Sequence, residues 1–125
     1  MRNIEAIKNR YLQDDLQVRL GGIAANLARI ASFSANPKNW NAVESMLQET
    51  KFFIEWTAPN APLNVQALLV EVQIQLALWH RNWSTIHSEK KEREKLQHWS
   101  RLVSEKVFSV ASGVYSSDAK KLKSG

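Results

Sequence analysis

Apolar residues recur along most of the chain at alternating steps of three and four, which is the spacing of one face of an α-helix. A short stretch over residues 4–11 comes first and is interrupted by Asp14 and Asp15. Four longer stretches follow, over residues 16–30, 40–54, 65–86 and 96–114. The pattern therefore predicts four long helices with a short extra helix at the N-terminal end.

Residues typical of helix starts separate these stretches. Asn36 is a good N-cap and Pro37 suits a first helical turn, and Asn60 with Pro62 repeats the arrangement. A third connection is predicted between residues 82 and 88. Because short connections favour antiparallel neighbours, the sequence predicts an all-α fold, an up-down-up-down four-helix bundle.

Composition agrees with one folded helical domain. The chain has 125 residues, of which 44% are apolar and 23% charged, as in ordinary globular proteins. Four Gly and three Pro are few for the many tight turns of a β-sandwich or barrel. We expect a single domain over residues 1–117 and a flexible basic tail over residues 118–125.

The positive charge is concentrated in the C-terminal half. Residues 1–62 hold seven Lys and Arg against six Asp and Glu, whereas residues 63–125 hold ten against six. Much of the excess comes from the predicted tail, with Lys120, Lys121 and Lys123. A net charge of +5 permits weak contact with nucleic acid or an acidic partner, but this distribution is also typical of a solvated surface.

Several classes of site are excluded by residue content. There is no Cys, so disulfide scaffolds, thiolate zinc sites, iron-sulfur clusters and cysteine nucleophiles are ruled out. The Glu-x-x-His pattern of di-iron bundles is missing, and His80 and His87 lie two helical turns apart, too far to share one metal ion. We expect no metal and no cofactor.

The chain has no segment typical of a membrane protein or a secreted one. Its N-terminal residues lack the apolar run of a secretory signal, and their acidic residues are unlike a transit peptide. We therefore expect a cytoplasmic protein without membrane contact. Polar residues interrupt the most apolar segment, residues 63–79, at Asn64, Gln66, Glu71, Gln73 and Gln75.

The third predicted helix is apolar on two sides. One side has Val65, Leu69, Val72, Leu76, Trp79 and Trp83, and the second has Leu68, Val70, Ile74 and Leu78. A helix of this kind needs more neighbours than one hairpin supplies, so either the bundle core or a subunit interface must cover it. The sequence thus predicts a homodimer or another protein partner.

A stripe of small residues runs along the first long helix and offers a second candidate face. It consists of Gly21, Ala25, Ala28, Ser32 and Ala35. Small side chains let another helix approach closely or receive an aromatic ring. Together the two faces give the candidate packing or interface residues Trp79, Trp83, Gly21, Ala25 and Ala28.

The segment from Arg81 to His87 reads RNWSTIH. It resembles the Arg-x4-6-His signature of HEPN-domain ribonucleases, although Glu89 stands where that family often has a tyrosine. The resemblance implies a dimer interface at which His87 transfers a proton and Arg81 holds the scissile phosphate of RNA. From the residues alone, the preferred explanation is that both are cations favoured near the C-terminal end of a helix.

Three further segments, LGGIAANLARIASFS, KFFIEWTAP and QLALWHRNW, together resemble a family of small uncharacterised helical proteins of cyanobacteria. That resemblance implies a lineage and a cytoplasmic setting and transfers no functional residues. We therefore expect a non-enzymatic protein-interaction or structural module that self-associates. The alternative is an HEPN-like RNA-binding or RNA-cleaving module that uses Arg81 and His87.

Overall fold

A computed structural model describes the backbone of residues 3–124 and the side chains of residues 3–113. Its regular structure over that range is entirely helical, which confirms the predicted all-α class. Turns of 3-10 helix cover Pro37–Asn39 and Ala58–Asn60. The α-helices are α1 (Ile4–Tyr11), α2 (Leu16–Ser34), α3 (Trp40–Thr57), α4 (Leu63–Arg81), α5 (Trp83–Ile86) and α6 (Lys90–Ser124).

The third predicted helix is divided in two at Asn82. That residue leaves the helical conformation, with φ −99° and ψ 17°, and its side-chain amide donates to the carbonyl oxygen of Leu78 at 3.0 Å. The connection predicted between residues 82 and 88 therefore contains the single turn of α5. At the other end of the chain α6 continues through residues 118–124, where the sequence predicts a flexible tail.

Helix α2 lies at the centre of the packing and contacts both α3 and α6, while α3 also packs on α4. Polar contacts show that α2 and α3 run antiparallel, because Arg19 bonds to Asn60 and, further along α2, Asn26 bonds to Glu49. The shared core is made of aliphatic side chains that are almost completely buried. They include Leu20, Ile23, Leu27, Ile30, Leu47, Leu69, Leu76, Leu96 and Val107.

The spacing between neighbouring helices depends on side-chain size. Helices α2 and α6 approach closely, and the Ser104 hydroxyl of α6 donates to the Ala24 carbonyl oxygen of α2 at 2.9 Å. Buried Ala24 and Ser100 leave room for this approach. Between α4 and α6, in contrast, the rings of Trp79 and Trp99 meet at an interplanar angle of 49° with centroids 6.1 Å apart. Bulky rings hold these two helices apart and leave a groove between them.

The short helix α1 is attached to α3 through Tyr11. The Tyr11 ring stacks on Phe53 with centroids 4.5 Å apart, and its hydroxyl lies 2.5 Å from the Thr57 hydroxyl. The Arg19 and Phe53 carbonyl oxygens lie 3.2 and 3.3 Å from the same hydroxyl. Burial raises the pKa of Tyr11 to about 12, because the phenolate would lose hydration, and the Thr57 hydrogen bond only partly opposes this.

This raised pKa predicts a loss of stability at alkaline pH. The folded protein keeps the Tyr11 proton to about pH 12, whereas an unfolded tyrosine releases it near pH 10. The stabilisation is therefore complete below pH 10 and falls between pH 10 and 12, by at most about 1.4 kcal/mol per pH unit. Urea unfolding at pH 9 and pH 11 should show this loss in the natural chain and a smaller one in Tyr11→Phe. Equal losses in both proteins would contradict the assignment to Tyr11.

Candidate functional site

Helix α4 has a second apolar stripe on the face opposite to its buried one. We call this the outer stripe of α4, and its members are separated by steps of four, three, four and four. Leu63 is the most exposed of them, at 82% of its full accessible area. The outer stripe consists of Leu63, Ala67, Val70, Ile74 and Leu78, all of which are exposed. No helix described in the chain covers it.

The groove between α4 and α6 runs beside the outer stripe. One part is a cavity of about 360 Å³ with Ile74 of α4 and Leu102 of α6 in its walls, together with the oppositely charged Glu71 and Lys106. The other is a cavity of about 310 Å³ that includes Leu78. Because Ile74 and Leu78 belong to both features, the stripe and the groove form one continuous apolar surface.

The two candidate tryptophans pack within the chain. Trp83 is only 5% exposed and belongs to the hydrophobic core, and half-buried Trp79 packs against the same core. Both indole N–H groups are buried without a hydrogen-bond partner among the described residues. Trp79 also forms part of the groove wall, so it supports the candidate surface from beneath.

The small residues predicted on α2 lie outside the close contact with α6. Ala25 and Ala28 are exposed, and a Cβ atom built on half-buried Gly21 would meet no atom within 4 Å. The close contact includes Ala24, whose carbonyl oxygen accepts from Ser104, and the small residues that are buried on α2 are Ala24 and Ala31. Gly21, Ala25 and Ala28 therefore face outward, away from the surface to which Trp79 belongs.

Open space beside Gly21 and Gly22 predicts that alanine stabilises both positions. Neither Gly has a positive φ, and an added Cβ would contact nothing within 4 Å at either. Because Gly in a helix interior costs about 1 kcal/mol relative to Ala, Gly21→Ala and Gly22→Ala should each raise the free energy of unfolding by about that amount. Thermal and urea unfolding measure the gain. A lower stability in either variant would show that the backbone needs glycine there.

The structure places Arg81 and His87 in different surroundings. The half-buried His87 ring stacks on Trp40 with centroids 5.2 Å apart and lies 5.8 Å from the Trp83 ring. Arg81 is exposed at the end of α4 and lines a cavity to which His87 does not contribute. His87 is thus part of an aromatic cluster, and RNA cleavage by this pair stays a prediction.

Sequence reasoning missed a cluster of charged groups where α3 meets α4. Nδ1 of His80 lies 2.9 Å from Nζ of Lys51, and Nε2 of the same ring lies 3.6 Å from Oε2 of Glu44. The Arg81 cavity, of about 330 Å³, is lined by Lys51, Ala77, His80 and Arg81. The one available signal was the heptad spacing of Glu44 and Lys51 on α3.

A second polar cluster, also missed, lies between α2 and α3. Asn26 is 3% exposed, donates to Glu49 at 3.3 Å and accepts from Arg29 at 2.9 Å. All three line a cavity of about 710 Å³ that Ile4 of α1 borders. The hydrogen bonds satisfy the buried amide, so this cluster fixes the register of α2 against α3.

Within the described side chains, no three His, Asp or Glu residues lie close enough together to hold a metal ion. None of the helices in the described part of the chain combines the length and apolar character needed to cross a bilayer. Comparison of the chain with protein-family models, curated proteins and solved structures gives no match.

Proposed function

We propose that the protein is a non-enzymatic interaction module that forms a homodimer through the outer stripe of α4. The main support for this proposal is that four large aliphatic side chains are exposed on one face of α4. Val70 and Ile74, at its centre, are both more than half exposed. Large apolar surfaces of this kind are rare on monomers and typical of protein contacts. Glu71 is the one charged residue between Leu63 and Trp79, so burying this face removes few charges from water.

A second copy of the chain is the partner that fits this surface. Apolar residues at steps of three and four form one face of a helix. Two such faces pack together when the side chains of each helix fit between the side chains of the other. A two-fold dimer places one patch against itself, so the patch must be self-complementary. Because Glu71 and Lys106 flank the groove with opposite charges, Glu71 of one copy can face Lys106 of the second copy, and the reverse.

The predicted up-down-up-down four-helix bundle is the scaffold in this proposal. The contacts of α2 with α3 and α6, and of α3 with α4, support it. In such a bundle the buried face of α4, with Val65, Leu69, Val72 and Leu76, fills the core. The outer stripe of α4 is then left for the partner. Cytoplasmic location stays a prediction from the sequence.

The proposal predicts that one charge on the outer stripe disrupts the dimer. Val70 on α4 and Val18 on α2 are both 52% exposed, so they form a matched pair. In Val70→Glu the dimer dissociation constant should rise about tenfold or more, because a carboxylate would be buried at the interface. Val18→Glu should leave it unchanged. Sedimentation velocity and light scattering over a range of concentrations measure both constants.

Two outcomes would refute this function. One is a natural chain that stays monomeric at the highest concentration tested, and the other is equal weakening of the dimer by Val18→Glu and Val70→Glu. Unfolding curves of both variants establish that each is folded. Cleavage of single-stranded RNA that is lost in both Arg81→Ala and His87→Ala would replace the interaction module with the ribonuclease alternative.

A further inference from the structure

Three of the four residues that line the cavity where α3 meets α4 carry nitrogen groups at the ends of their side chains. Lys51, His80 and Arg81 surround the small side chain of Ala77, which leaves room above the helix surface. No carboxylate is among the four lining residues. The walls therefore present positive charge and N–H groups to any molecule that enters.

The hydrogen bond between Lys51 and His80 fixes the orientation of the ring. A lysine ammonium can only donate, so Nδ1 of His80, 2.9 Å from Nζ, is the acceptor. The ring proton then lies on Nε2, which faces the Glu44 carboxylate at 3.6 Å. Glu44 is not among the residues that line the cavity, and the Lys51 ammonium keeps two further N–H donors.

Arg81 supplies the second permanent positive charge. It is exposed, and none of its guanidinium nitrogens forms a hydrogen bond or ion pair with the side chains that the structure describes. The planar guanidinium can donate two parallel hydrogen bonds to one oxyanion. Lys51 and Arg81 come from different helices and repel each other at one cavity, and a bound anion would remove that repulsion.

We propose that this cavity binds the phosphate group of a small phosphate monoester. The positive charges of Lys51 and Arg81 match the double negative charge of such a group near neutral pH. The hydrogen bond from Lys51 to Nδ1 of His80 holds the lysine side chain in place. The cavity volume of about 330 Å³ is at the small end of ligand sites, so it suits a phosphate with a short substituent. The inference does not depend on the homodimer.

Titration of the full chain with glycerol 3-phosphate tests the site. Calorimetry should show saturable binding, and amide NMR shifts should concentrate at Lys51, His80 and Arg81, whereas glycerol should give neither. Arg81→Gln and Lys51→Gln should each weaken binding about tenfold or more. The matched controls, Arg101→Gln and Lys91→Gln at exposed positions of α6, should leave it unchanged.

Three results would contradict the proposed phosphate-monoester site. Absence of saturable binding, or equal weakening by the α6 controls, would mean that no specific phosphate site exists. Binding of single-stranded RNA through Lys51 and Arg81 without binding of glycerol 3-phosphate would make a phosphodiester the ligand. The Val70→Glu variant should bind glycerol 3-phosphate as tightly as the natural chain does. The dimer and the phosphate site can therefore each be refuted without the other. Circular dichroism establishes that the Gln variants are folded.

Discussion

Replacing Trp83 by alanine should lower the free energy of unfolding by about 4 kcal/mol. Trp83 is 5% exposed and fills the core beside Ile86, at the point where α4 gives way to α5. Its removal would leave a cavity that the surrounding helices could close only by shifting out of their present packing. Urea unfolding followed by far-ultraviolet circular dichroism measures the change, which is a large share of the stability of an ordinary domain.

Trp40→Ala is the control for this substitution. Trp40 is 42% exposed and stacks only on the His87 ring among the described rings, so its loss should cost about 1 kcal/mol. Equal costs in the two variants would contradict a packing role for Trp83. The comparison also affects how variants of the RNWSTIH segment are interpreted. Loss of an activity in Trp83→Ala would reflect unfolding, because Trp83 is buried. Loss of an activity in Arg81→Ala would not, because Arg81 is exposed.

Ala24→Leu should lower the free energy of unfolding by about 3 kcal/mol. The Ala24 side chain is buried, and the Ala24 carbonyl accepts the Ser104 hydroxyl of α6 at 2.9 Å. A leucine side chain at this point would have to separate two helices that touch. The neighbouring Ala25 is exposed, so Ala25→Leu should change stability by about 0.5 kcal/mol or less. Thermal and urea unfolding compare the pair directly.

The same two variants also distinguish the two candidate dimer faces. If Ala24→Leu is tolerated, α2 and α6 are not in close contact in solution. If Ala25→Leu leaves the fold intact but abolishes the dimer, the small-residue face of α2 is the interface in place of the outer stripe of α4. Light scattering on the variants separates these outcomes.

The parts of the fold that depend on local spacing could be predicted from the sequence. The spacing of apolar residues at steps of three and four predicted the helices. The apolar residues on two sides of α4 indicated that one of those sides needs a partner beyond a single hairpin. Helical phase would also have identified which small residues of α2 are buried. Ala24 and Ala31 each follow a core leucine, Leu20 and Leu27, by four residues, whereas Ala25 lies a further 100° around the helix.

Features that depend on the register between helices could not be predicted. His80 meets Lys51, 29 residues away in sequence, because of how α3 and α4 are aligned, and no local pattern encodes that alignment. The break at Asn82 has a local origin instead, and it lies at the start of the connection that the sequence predicts between residues 82 and 88. An uninterrupted apolar stripe favoured a helix through Ile86, but the Asn82 amide bonds back to the Leu78 carbonyl and ends α4.

The length of α6 affects how the molecule moves through water. Its 35 residues span about 52 Å, whereas the 19 residues of α2 span about 28 Å. In the proposed up-down-up-down bundle α6 runs antiparallel to α2. With Ser104 beside Ala24, the α6 residues beyond position 112 then extend roughly 18 Å past the start of α2. A projecting rod of this length raises the friction of a small particle and slows its diffusion. A single chain should therefore elute early from a gel-filtration column and mimic a heavier species, so its mass must be read by scattering or sedimentation.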